Sequence, residues 1–119
     1  IVSDENKIVD FSTLNEMLFG ETKYIKEFAE AAIISFQEFK ENYTLFLIKR
    51  DEVNLRKAGH KIKPVAQMLG LELILEEYEV AKTLIWEVKP DFELGDSSQK
   101  MNAIIDRVIR ELKDIIASA

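Results

Sequence analysis

The chain has 119 residues, enough for one domain with a real core, and its 22 acidic against 16 basic residues give a formal charge of −6. With no cysteine and a single histidine, it excludes a disulfide framework, a thiolate metal site and the paired Glu-x-x-His ligands of a di-iron bundle. The acidic balance argues against a general nucleic-acid binder, no apolar run approaches the roughly 18 residues of a membrane span, and no basic-then-apolar start suggests a signal peptide. The expectation is a single cytoplasmic domain over residues 1–119, with no metal and no cofactor.

Ile1 to Val9 read as a loose lead-in. Asp10 or Ser12 is then placed to cap a short helix carrying Phe11, Leu14, Met17 and Leu18, which stops at Gly20. Thr22 is placed to cap a longer helix. Tyr24, Phe28, Ala32, Phe36, Phe39, Tyr43 and Phe46 recur every three or four residues, a stripe that predicts core packing and ends near Arg50.

A third helix follows Asp51 and ends at Gly70. A fourth is predicted from Leu71 to about Val88, with Ile74, Leu75, Tyr78, Ala81 and Ile85 inward and Glu72, Glu76 and Glu79 as a solvated acidic face. Pro90, Gly95 and the Asp-Ser-Ser cluster mark Lys89 to Ser98 as a loop. Asp96-x-x-Gln99 then resembles a capping pair before a last stripe of Met101, Ile104, Ile105, Val108, Leu112 and Ile115. The class is all-α: an antiparallel four-helix bundle with a short additional N-terminal helix.

The third helix carries the chemistry. At about 100° per residue, Leu55, Ala58, Ile62, Val65, Ala66 and Leu69 share one apolar arc. His60 falls nearly opposite that arc, with Arg56, Lys63, Pro64 and Gln67 around it. The segment from Lys49 to Lys63 carries six basic residues against Asp51 and Glu52, a net +4 in a chain of −6. Such cations can hold phosphoryl oxygens on an imidazole nucleophile. Gly59 and Pro64 are both unfavourable inside a helix. Two accounts fit them: close helix packing with a bend around the core, or a surface beside His60 kept free of projecting side chains for a partner.

The stretch L-R-K-A-G-H-K-I-K-P-V-A-Q-M-L-G, Leu55 to Gly70, resembles the signature of histidine phosphotransfer domains, the carriers of multi-step two-component phosphorelays. Leu55, His60, Ile62, Lys63 and Gly70 match that pattern, and Asp51, Phe28 and Phe36 look like further family positions. Gly59 stands where the family usually has alanine, and Pro64 where it has glycine. The resemblance implies that His60 accepts a phosphoryl group from the aspartyl phosphate of a receiver domain and passes it to another. It also implies that Lys63 stabilises the phosphoryl charge, and that the receiver supplies the acidic pocket and Mg²⁺. Helical geometry adds Arg56, Lys57 and Gln67 as phosphate or partner contacts, and Gly59 and Pro64 are the positions beside His60 that the resemblance gives to the partner's approach. No ATP-binding glycine loop is present, so the module would be a carrier within a hybrid sensor histidine kinase system. The alternative is a helical protein-interaction module without phosphoryl transfer.

Overall fold

Five helices and the turns between them make up the computed structural model, which describes residues 7–118. They are α1 (Phe11–Met17), α2 (Thr22–Ile48), α3 (Glu52–Met68), α4 (Glu72–Trp86) and α5 (Asp91–Ser118), with no strand among the described residues. The long helices contact one another in a closed circuit: α2 packs on α3 and α5, and α4 packs on the same two. None of the helices is long and apolar enough to cross a membrane.

Side-chain caps set the starts of α1 and α3, whereas α2 and α4 have none; Thr22, expected to cap α2, is instead its first helical residue, after Glu21. The Asp10 carboxylate accepts from the Thr13 amide at 3.1 Å and the Thr13 hydroxyl at 2.7 Å, which makes Asp10 the cap of α1. Asp51 repeats the device at α3, accepting from the Asn54 amide at 3.2 Å and its Nδ2 at 2.7 Å. These bonds hold both carboxyls below the usual carboxylate range.

The helix ends share one solution. After each of the first four helices a residue turns left-handed: Phe19 (φ 56°), Arg50 (φ 56°), Gly70 (φ 66°) and Val88 (φ 53°). The next amide then reaches back five residues, as in Asp51 N to Phe46 O at 2.8 Å and Lys89 N to Leu84 O at 2.9 Å. This is the Schellman closure, which satisfies carbonyls the helix leaves open. Gly70 takes the left-handed position without a steric cost, as does Gly20 (φ 67°), which follows Phe19 in the same conformation.

The core runs along α2 through Ile25, Ala29, Ala32, Phe36, Phe39, Tyr43 and Leu47. Expectation and structure differ at the ends of this stripe. Tyr24 is 54% exposed, and Phe28 and Phe46 lie only partly buried, because the inward face there belongs to Ile25, Ala29 and Leu47.

Two further expectations are corrected, and one buried carboxylate was not foreseen. The segment Lys89 to Ser98 is not a loop: α5 begins at Asp91, and Asp96 and Gln99 lie inside it rather than capping it. Leu94, Ser97, Ser98 and Met101 recur at helical spacing and are all buried, so the serines pack in the core instead of marking a turn. Pro90 stands just before the first helical residue, where a missing N–H costs nothing. The lead-in is not loose over its last residues. Ile8 and Val9 amides each donate to Glu111 Oε1 at 3.0 Å, Val9 is buried, and the Asp10 amide donates to the Leu69 carbonyl at 2.8 Å. Residues 1–6 of that expected lead-in fall outside the described residues. Finally, α4 buries a carboxylate: Glu72, Glu76 and Glu79 are exposed as expected, but Glu77 is only 5% exposed.

Candidate functional site

Helix α3 buries Leu55, Ile62, Ala66 and, just past its end, Leu69, with Ala58 and Val65 partly covered. That phase leaves the opposite face open. His60, Arg56, Lys57, Lys63, Pro64 and Gln67 are all exposed, as the helical spacing predicts. On one helix face His60 and Lys63 stand three residues apart, so their β-carbons lie about 5–6 Å from each other.

Gly59 is the exception among the proposed contact residues. It is buried and turned toward α4, where a β-carbon would lie 2.1 Å from Tyr78 Cζ and 2.5 Å from its hydroxyl. Any larger residue there would have to displace the Tyr78 ring. Gly59 is therefore a packing position of the α3–α4 seam rather than part of the open face, which decides in favour of the close-packing account at this residue. The Tyr78 ring occupies the notch, its hydroxyl 3.5 Å from the Arg56 carbonyl and the Lys82 ammonium 4.6 Å from the ring centre. Burial raises the Tyr78 phenol above its usual range.

Pro64 leaves a different mark. It lies exposed inside an unbroken α3 and has no amide proton to give the His60 carbonyl, so the helical bond at that carbonyl is not made. The backbone beside the imidazole thus keeps an acceptor that a regular helix would have used.

The basic character of the segment is partly neutralised. Arg56 pairs with Glu52 at 2.8 Å, one turn back, and Lys61 reaches across to Glu38 of α2 at 2.6 Å. Arg50 is held at the end of the molecule by the Lys89 carbonyl and Asp91. Among the described residues, Lys57 and Lys63 make no ion pair. Lys57 and Lys63 each stand three residues from His60, one on either side and within one turn of it.

Behind this face a buried polar group joins three helices. Ser97 Oγ donates to Glu77 Oε2 at 2.6 Å and shares a hydrogen bond of 2.8 Å with the Tyr43 hydroxyl. The Lys100 ammonium reaches Glu77 Oε1 at 3.2 Å from the solvent side. Burial first, then the neighbouring Glu77 charge, push the Tyr43 phenol far up, while its bond to Ser97 opposes them.

Sequence reading found the exposed residues and missed Tyr78, Glu38 and Glu77 as their supports. Gly59 was the one available signal, since a glycine inside a helix invites the question of what fills its place. The larger clefts, one along Lys7 to Ser12 with Glu111 and Ile115 and one along Gln37 to Glu41 with Asp106 and Arg110, do not include His60. The imidazole is exposed and lines neither cleft, a setting suited to a macromolecule rather than an enclosed small ligand. No family model, curated protein or solved structure matches this chain.

Proposed function

We propose that this chain is a cytoplasmic phosphoryl carrier of the histidine phosphotransfer kind, its four long helices forming an antiparallel bundle and α1 an added N-terminal element. His60 accepts a phosphoryl group from the aspartyl phosphate of a receiver domain and yields it to another receiver. One imidazole nitrogen gives its lone pair to phosphorus as the bond from phosphorus to the aspartyl oxygen breaks. The carboxylate departs with that electron pair. The Lys63 ammonium, about one turn away and without an ion pair among the described residues, offsets charge on the phosphoryl oxygens. Lys57 and Gln67 lie on the same open side, while Arg56 would have to leave Glu52 to take part.

The observation that carries this reading is the exposure of His60 at the middle of an open helix face with Lys63 beside it. The wiring of α3 supports it, because the residues that fix the helix lie on its far side and leave the imidazole free of structural duty.

The test is incubation of the chain with phosphorylated receiver domains and, separately, with phosphoramidate as a small phosphoryl donor. The expected product is acid-labile, base-stable phosphate on the wild type and none on His60→Gln, with slower labelling of Lys63→Ala. Label that survives in His60→Gln, or none on the wild type with either donor, overturns the proposal in favour of an interaction module without phosphoryl transfer.

A further inference from the structure

Apolar side chains that the core does not use gather at one end of the molecule. The turn between α2 and α3 and the turn between α4 and α5 are tied side by side by Arg50, whose Nη2 donates to the Lys89 carbonyl and, at 3.0 Å, to Asp91 Oδ1. Around this tie Trp86, Val88 and Phe92 are 79%, 77% and 69% exposed. Val53 and Ile48, flanking the neighbouring turn, are 65% and 50% exposed. Val88 also holds a φ of 53°, a conformation that a β-branched residue disfavours and that Gly70 fills without strain at the matching place after α3. The chain keeps a large apolar side chain in water at the backbone position least suited to it.

Charge selects what would cover these residues. Residues 48–57 carry Lys49, Arg50, Arg56 and Lys57 against Asp51 and Glu52, a net +2. Residues 86–93 carry Lys89 against Glu87, Asp91 and Glu93, a net −2. The apolar residues straddle the two segments. A two-fold axis through them sets the positive turn of one copy on the negative turn of the other, which is the self-complementarity an isologous contact requires. Elsewhere two copies of a chain at −6 repel.

The area agrees with a weak contact. Two aromatic rings and three aliphatic side chains at these exposures offer on the order of 500 Å² per copy. A pair then buries about 1,000 Å², the lower bound for a specific interface. We infer that this end of the molecule is the interface of a weak, two-fold symmetric dimer of the chain itself.

Trp86 is the only tryptophan, so its emission reports the interface directly. Sedimentation velocity and tryptophan emission are followed together over a dilution series from about 1 mM downward. The expected result is a concentration-dependent shift from monomer to dimer, with Trp86 emission moving to shorter wavelength in step. Phe92→Gln and Val88→Gly should weaken that association at least tenfold, and both variants fold because each changes an exposed residue. A monomer throughout the series with constant emission overturns the inference and leaves the patch to a different protein. So does a dimer that neither variant weakens, because it would use another surface.

Discussion

At the scale of single residues, two neighbours on α3 have opposite duties. His60 is exposed and makes no side-chain hydrogen bond among the described residues, whereas Gly59 is sealed against the Tyr78 ring. Replacing His60 by alanine removes almost no buried surface, so stability should change by no more than about 0.5 kcal/mol. Replacing Gly59 by alanine gains about 1 kcal/mol of helix propensity, but it drives a methyl to 2.1 Å from a packed aromatic carbon. Overpacking of that kind costs about 1–3 kcal/mol, so the variant should be the less stable of the two. Urea midpoints of both variants check this ordering; a stable Gly59→Ala would mean that the Tyr78 ring swings aside freely. The exposure of His60 was legible in the sequence because one helical period fixes it. The meaning of Gly59 was not, since its partner lies 19 residues away on another helix.

At the scale of elements, helices α2, α3 and α4 were readable because each carries its apolar stripe over several turns. Their ends were less so. Arg50 and Val88 close α2 and α4 in the left-handed conformation with no glycine to announce the end, whereas Gly20 and Gly70 mark the ends of α1 and α3. The start of α5 was misread for a related reason. Pro, Gly, Asp and Ser are locally turn-forming, yet Ser97 and Ser98 are bonded to Tyr43 and Thr44 at 2.8 and 2.7 Å, and that tertiary satisfaction overrides their local preference. Pro64 is the converse case, a helix breaker that breaks nothing, because the apolar residues around it hold α3 in place on either side. Its cost remains. Pro64→Ala restores the amide that the His60 carbonyl lacks and removes the ring from that carbonyl, which should raise stability by about 2–3 kcal/mol. Chemical denaturation measures the gain directly. An unchanged midpoint would show that the helix had already relaxed around the proline.

At the scale of the whole molecule, α4 connects the open face to the buried polar group through two consecutive residues. Glu77 turns toward α2 and α5, where it meets Ser97 at 2.6 Å and Lys100 at 3.2 Å, while its carbonyl lies 3.2 Å from the Tyr43 hydroxyl. Tyr78 turns the other way and fills the notch at Gly59. The rotation of α4 about its axis is therefore fixed on both sides, and through Tyr78 it fixes how α3 sits and where His60 points. The carboxylate is a costly way to do this, since a buried charge must be met by partners on every side. What it contributes over an apolar residue is direction: only one rotation of α4 brings Glu77 onto Ser97. Glu77→Ala should lower stability by about 2–4 kcal/mol, because it leaves a cavity and strips Ser97 and Lys100 of their acceptor. The loss should also travel. With α4 free to rotate, the Tyr78 seam loosens, and amide hydrogen exchange should accelerate in α3 between Arg56 and Lys63 as well as in α4 itself. Exchange confined to α4 and α5, with α3 as protected as in the wild type relative to global stability, would show that Gly59 and Tyr78 hold α3 without help from the carboxylate.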